Sequence, residues 1–386
     1  MPREVLTPGT ALRPVEKSDR RRGVVTYTVG NAQAPDGHET ATRAEIARRL
    51  ALLSGFDFIG EYDAGVRYDC RPYFVPSDTL TSATAASLRI DDAGDLFGGV
   101  VPTAFLATKT ITHPLVDEDA RAPDGWSPAF PRFVADSVLP GISAFARGDA
   151  LCAGRMLLER GAVRVKLATG IAGLGQWVAR NEAELESVIE AIDDREFNEA
   201  GVVVEQNLTD VATHSVGQIR VAGLEASYCG LQRLTKNNHG VEVYGGSELK
   251  VVRGGFDALL EVDLPEAMRL AIAQARVYDD AAHACFHGFF ASRRNYDIAQ
   301  GADERGQRCS GVLEQSWRLG GASGAEIAAL EAFRADPSLR AVCARSQEIY
   351  GDRAAVPDEA DVYFRGIDPR VGPLTKYTLI ERHADT

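Results

Sequence analysis

The chain is short of the features that mark nucleic-acid-binding and membrane proteins. Basic residues are outnumbered: 42 Lys and Arg stand against 55 Asp and Glu, a net charge of −13 over 386 residues. A surface of that sign repels phosphate backbones and anionic lipid, so neither is expected as a partner. No apolar run approaches the roughly 20 residues a membrane-spanning helix needs. The six cysteines, Cys70, Cys152, Cys229, Cys285, Cys309 and Cys343, show no C-x-x-C spacing. That argues against a disulfide framework and fits reduced thiols in a cytoplasmic protein. The N-terminal MPREVLTPGTALRPVEKSDRRRG carries charge without an apolar core and does not read as a secretory leader. What remains is the composition of an ordinary soluble chain of two or three domains.

Read in order, residues 1–22 form a mobile lead-in. GVVTYTV (23–29) is a strand, and Thr42-x-x-Glu45 spells a capping box opening a helix with Ile46, Leu50 and Leu53 on its apolar stripe and Gly55 as its stop. Further strands over 56–59 and 72–75 complete a small α/β domain over 23–115. His38 precedes the helix, where it either faces a substrate or is merely exposed. Residues 116–146, rich in Pro, Asp and Gly, read as a linker.

Three runs carry chemistry. SRRNYDIAQGADERGQRCSGVLEQSWRLGGASG (292–324) reads as two strands and a polar turn. If the strands pair, alternation sets Asp297 beside Glu314 on one face. Adjacent carboxylates repel unless a cation lies between them, and Mg²⁺ suits oxygen ligands and phosphates. Arg318 and the Gly320-Gly321 pair then offer a positive fork and open backbone N–H groups. A solvated hairpin with exposed acids is the alternative. VRVKLATGIAGLGQWV (163–178) places Lys166 in a strand and Gly170, Gly173 and Gly175 in a loop, either a phosphate cradle or a hairpin whose glycines supply positive φ. It lacks the GK[ST] ending of a Walker loop. GVVVEQNL (201–208) is a buried strand ending in Glu205. His283, Cys285 and His287 lack a second ligand pair and read as packing rather than zinc ligands. Gln232, Arg233 and Lys236 are either substrate contacts or solvated loop residues, and Trp177 and Trp317 read as packing anchors.

The order of these runs resembles the ATP-grasp superfamily over about residues 147–326, with EQSWRLGGASGAE as the most distinctive piece and an uncharacterised bacterial ATP-grasp-like family as the nearest match. The resemblance implies an α+β fold in which two α/β lobes, a small one over 147–200 and a large one with a C-terminal extension over 201–386, clasp ATP behind a small α/β N-terminal domain. Lys166 would touch the α/β-phosphates, and the loop at Ala172, Gly173 and Gly175 would close over the triphosphate. Glu205 would mark the hinge, with Gln206, Asn207 and Leu208 facing the adenine. Asp297, Glu314 and Ser316 would hold Mg²⁺, with Mn²⁺ as a substitute, and Arg318, Gly320 and Gly321 would stabilise the transferring phosphoryl group. In such enzymes an Asn usually occupies the position of Ser316, and Gln315 is a candidate replacement. The first lysine usual ahead of the helix near 150 is absent, Arg147 being the nearest substitute. The implied function is ATP-dependent ligation of a small carboxylate to an amine or thiol through an acyl phosphate. A nucleotide-binding regulatory protein without turnover is the second reading and kinase-like transfer a third; a homodimer is one assembly left open.

Overall fold

The computed structural model describes residues 22–30, 37–170, 175–352 and 354–381; all but the last residue of the expected lead-in over 1–22, with Ala172 and Gly173, lie outside them. The chain begins as β1 (Gly23–Tyr27), α1 (His38–Ser54), β2 (Asp57–Glu61) and β3 (Tyr73–Pro76). These strands form a parallel sheet in the order β2-β1-β3. Ile46, Leu50 and Leu53 pack with Val24, Tyr73 and Val75, as the helical stripe requires. Gly55 ends the helix in the left-handed region (φ 69°). The start differs from the capping-box expectation. α1 opens at His38, four residues before Thr42, and its first N–H donates to Asp368 Oδ2 at 2.7 Å. A cap supplied from 330 residues away leaves no local signature.

A second small sheet follows: β4 (Leu80–Thr81) leads into α2 (Ser82–Leu88), and β5 (Gly99–Val101) pairs with β4. Two 3-10 turns, Ala104–Ala107 and Lys109–Ile111, continue the chain towards the lobes. The stretch expected as a linker contains α3 (Ala129–Val134) and β6 (Gly141–Ala144). Phe130 of α3 stacks on Phe286 with ring centres 4.8 Å apart. Pro, Gly and Asp around these short elements hide them from periodicity, which needs longer runs to register.

β6 belongs to the small lobe, an antiparallel sheet in the order β6-β9-β7-β8. Its other parts are α4 (Arg147–Leu158), β7 (Val163–Leu167), β8 (Gln176–Ala179), α5 (Glu182–Ala191), α6 (Asp194–Glu199) and β9 (Val202–Gln206). Asn181 Oδ1 accepts from the N–H of Glu184 at 2.9 Å and so caps α5. Val163, Val165, Val202 and Val204 pack against Leu185 and Ile189.

The large lobe is built on one eight-stranded antiparallel sheet. In chain order it runs β10 (Thr209–Val221), β11 (Leu224–Lys236), β12 (Glu242–Arg253), α7 (Phe256–Glu261), α8 (Glu266–Cys285), β13 (Phe290–Ala291), β14 (Arg293–Ala302), β15 (Arg308–Ser316), α9 (Ser323–Ala335), β16 (Ala341–Tyr350), β17 (Asp361–Asp368) and β18 (Gly372–Glu381). The sheet order is β15-β14-β10-β11-β12-β16-β18-β17, while β13 joins β5. Alternation sorts the faces. Cys229 packs with Tyr278 and Ile272 of α8, while its neighbour Tyr228 packs with Ala325 and Ala329 of α9. α1 docks on the α9 side, where Arg49 reaches Glu331, Asp361 and Tyr363. No helix among the described residues is long and apolar enough to cross a membrane.

Candidate active site between the lobes

β14 and β15 pair antiparallel with Asp297 directly opposite Glu314. The register slips immediately beyond this pair, between Asp297 and Ile298, a bulge of the kind that re-aims side chains. Asp297 Oδ1 accepts from Asn295 Nδ2 at 2.9 Å and from Ser215 Oγ at 3.3 Å, and Gln232 Nε2 donates to Ser215 Oγ at 2.9 Å. Burial foremost, and then the charge of Glu314, push the Asp297 carboxyl above its ordinary range, against those hydrogen bonds.

The sign of that shift yields a test. An acid whose folded-state pKa is raised is destabilising once ionised, so the cost sets in as pH rises above the unfolded carboxyl's pKa and grows until the folded one is passed. Asp297→Asn is therefore expected to raise the thermal midpoint of the ligand-free protein at pH 7 and to change it much less near pH 3.5. An equal or lower midpoint at pH 7 would contradict a strained acid pair.

The cation nearest the pair is one that sequence reasoning missed. Lys109 Nζ lies 2.8 Å from Glu314 Oε2 and donates to the carbonyl of Gly170 at 2.8 Å, with the side chain only 4% exposed. Its turn is held from both sides. Gln315 Nε2 donates to the carbonyls of Leu106 (3.1 Å) and Thr108 (2.8 Å), and the hydroxyls of Thr112 and Tyr278 lie 2.9 Å apart. Arg147, the expected substitute for a first lysine, instead binds Asp194 and the carbonyl of Ile192, tying α4 to the loop after α5. The available signal was a single lysine in the otherwise uncharged run TAFLATKTIT.

In the small lobe, Lys166 Nζ contacts Glu205 Oε1 across β7 and β9, both side chains almost wholly buried. His113 Nε2 stands 3.4 Å from the other oxygen of Glu205, its ring occupying space left by the missing Cβ of Gly141. Burial alone would raise the Glu205 pKa, but Lys166 and His113 hold it down to about 2. The N–H groups of Gln206 and Asn207 donate to Pro140 and Ala162, both at 2.9 Å, and Leu208 packs with Leu139 and Ala299.

Beyond β15 the chain passes through buried Trp317, packed 4.3 Å from Phe289, to Arg318, whose Nε lies 3.5 Å from Asp78 Oδ1 at the end of the N-terminal sheet. Gly320 N–H donates to Ser323 Oγ at 3.0 Å, and a Cβ at Gly321 would fall 2.4 Å from the Tyr244 ring. Arg293 anchors this turn by donating to the carbonyls of Ser316 and Arg318. Ser316 Oγ faces the same guanidinium at 3.2 Å, and Gln315 points to the opposite face of the sheet.

Residues 25–378 match the sequence family described as "Protein of unknown function (DUF3182)". The chain belongs to the DUF3182 family. No curated protein matches it significantly. Solved structures similar in fold include carboxyaminoimidazole ribonucleotide synthase from Aspergillus clavatus complexed with ATP (TM-score 0.51, 12% identity, 94% of each chain covered). Biotin carboxylase from Campylobacter jejuni, as a β-γ-ATP complex, gives a TM-score of 0.51 at 13% identity, covering 94% of this chain and 88% of that one. Phosphoribosylamine–glycine ligase from Thermotoga maritima gives 0.50 at 12% identity, covering 92% of each. Together with the lobes described above, the fold of this DUF3182 chain is ATP-grasp.

Other residues singled out in the sequence have partners of their own. Arg233 pairs with Glu248 at 2.7 Å, and His38 Nδ1 lies 3.3 Å from Lys376 Nζ against β18. His283 Nδ1 lies 2.9 Å from the carbonyl of Asp279. No group of three or more His, Cys, Asp or Glu among the described residues is placed to hold a metal.

Proposed function

We propose that this DUF3182 protein is an Mg-dependent ligase that uses ATP to activate a small carboxylate for attack by an amine or thiol. The observation that carries the reading is the convergence, between two lobes, of an acid pair at Asp297 and Glu314, the buried Lys109 at its edge, and Arg318 one turn beyond it. The named structures at 12–13% identity support only the fold for this chain; their ATP complexes make a nucleotide the first ligand to test.

The chemistry follows from what a carboxylate lacks. Its oxide is too poor a leaving group for an amine to displace. A carboxylate oxygen that attacks the γ-phosphorus of ATP forms an O–P bond as the bond to the β,γ-bridging oxygen breaks, giving an acyl phosphate and ADP. The amine then adds to the acyl carbon, phosphate departs with the C–O bond, and the ammonium proton goes to solvent or phosphate. Positioning and charge neutralisation supply the catalysis. Lys166 and Lys109 would bind phosphate oxygens, and Arg318 would meet the charge that develops on the transferring group. Leu208 would offer its N–H to the adenine, since those of Gln206 and Asn207 are already engaged. Gly175 and the neighbouring loop would exclude water.

Two carboxylates whose mutual repulsion is incompletely relieved are a donor set that fits Mg²⁺, which binds through one or two carboxylates plus phosphates. Asp297 and Glu314 would hold it, and it would neutralise charge on the phosphate oxygens.

Calorimetric titration with Mg-ATP should show one saturable site. Pools of candidate carboxylates and amines should then release ADP in at least one combination. No binding up to millimolar nucleotide would end the nucleotide reading. Binding without ADP release from any pool would favour the regulatory alternative.

A further inference from the structure

We propose that the acid pair takes one divalent cation with its nucleotide, and that the ammonium of Lys109 fills the place a second cation would need. The inference rests on the nucleotide reading above and concerns how its charge is met. Two-metal phosphoryl sites set their ions about 3.5–4 Å apart, and each ion needs oxygen donors of its own. Around Asp297 and Glu314 the neutral donors are already committed. Ser316 Oγ accepts from Arg293 Nη1 at 3.2 Å, so a cation bound there would sit against a fixed guanidinium. Asn295 directs its Nδ2 at Asp297, so its Oδ1 is turned away from the acid pair, towards the Tyr228 oxygen. Gln315 is bound to Leu106, Thr108 and Tyr278 on the other face of the sheet. Ser215 already donates to Asp297 and accepts from Gln232.

Two carboxylates remain, and they suffice for one octahedral ion completed by phosphate oxygens and water. A second ion would have to use the outer oxygen of Glu314. That oxygen is 2.8 Å from Lys109 Nζ, and the ammonium is held there by Gly170 as well. Lys109 is a built feature: it is 4% exposed on a turn whose carbonyls are fixed by Gln315. Its charge cannot move far from Glu314 without breaking the contact to Gly170.

The test counts ions rather than turnover. Wild-type protein saturated with a non-hydrolysable ATP analogue is titrated with Mn²⁺, and free Mn²⁺ is read by electron paramagnetic resonance. One bound Mn²⁺ per bound nucleotide is expected; two would overturn the proposal while leaving the nucleotide reading intact. Lys109→Gln vacates the position and is expected to raise the count to two at millimolar Mn²⁺. Lys109→Arg keeps the charge and should remain at one. A count that stays at one in folded Lys109→Gln removes Lys109 from the explanation, and a count of two in Lys109→Arg does the same if the glutamine variant fails to fold. Analogue that binds to none of the variants with or without Mn²⁺ overturns the nucleotide reading and this inference with it.

Discussion

Arg293→Met is expected to cost the fold about 3–5 kcal/mol, because it leaves Glu326 charged and alone in the interior. The two side chains are 1% and 0% exposed, and Arg293 Nη2 lies 2.7 Å from Glu326 Oε1 with Nε 3.0 Å from Oε2. The remaining bonding capacity of the pair is also used. The Tyr228 hydroxyl donates to Glu326 at 2.6 Å, and Arg293 reaches the carbonyls of Ser316 and Arg318. Desolvating two ions is tolerable when every lone pair and proton is met, and breaking one side leaves the other uncompensated. Joint replacement by Arg293→Met and Glu326→Leu should recover much of the loss, since no buried charge is then stranded. Urea unfolding of the two single variants and the double variant checks this. A single-variant loss below about 1 kcal/mol, or a double variant worse than either single, would contradict a pair that is fully desolvated.

That pair also shows why part of the site escapes the sequence. Arg293 and Glu326 stand 33 residues apart, and each alone reads as a surface charge. Only the sheet brings the first residue of β14 under the first turn of α9. Lys109 is hidden for a similar reason. It sits in a run of threonines and small apolar residues, and its meaning comes from Glu314 and Gly170, contacts made through the packing of three separate segments. The start of α1 depends on Asp368 in the same way. The acid pair is legible only in part. A Gly- and Asp-rich turn marks two pairing strands, but the regular register through Ile298 and Val312 would set Leu313 opposite Asp297, and it is the bulge beside that pair that brings Glu314 onto the same face. Ser316 lies between these cases. Its position relative to Glu314 follows from alternation, while its engagement by Arg293 does not.

Arg318 carries the prediction that separates a ligase from a binder. The side chain is partly exposed at the boundary between the acid pair and the N-terminal sheet, paired with Asp78 at 3.5 Å and donating to the carbonyl of Leu319 at 3.1 Å. Its backbone carbonyl accepts from Arg293, so the guanidinium works from a rigid base, and a ligand phosphate would compete with Asp78 for it. If it acts on the transferring phosphoryl group, it matters most where charge is spread over that group, in the transition state. Arg318→Ala should then bind Mg-ATP nearly as well as wild type and lose about 10²–10³-fold in kcat, equivalent to about 2.7–4 kcal/mol. Arg318→Lys keeps one charge but not the planar fork and should recover only part of the rate. The measurements are calorimetric affinity for Mg-ATP and single-turnover ADP release with whichever acceptor pool supports it. Affinity falling as far as the rate would mean that Arg318 binds nucleotide uniformly. A rate unchanged in Arg318→Ala would remove the residue from the chemistry and leave Lys109 and Lys166 as the cations on which phosphoryl transfer depends.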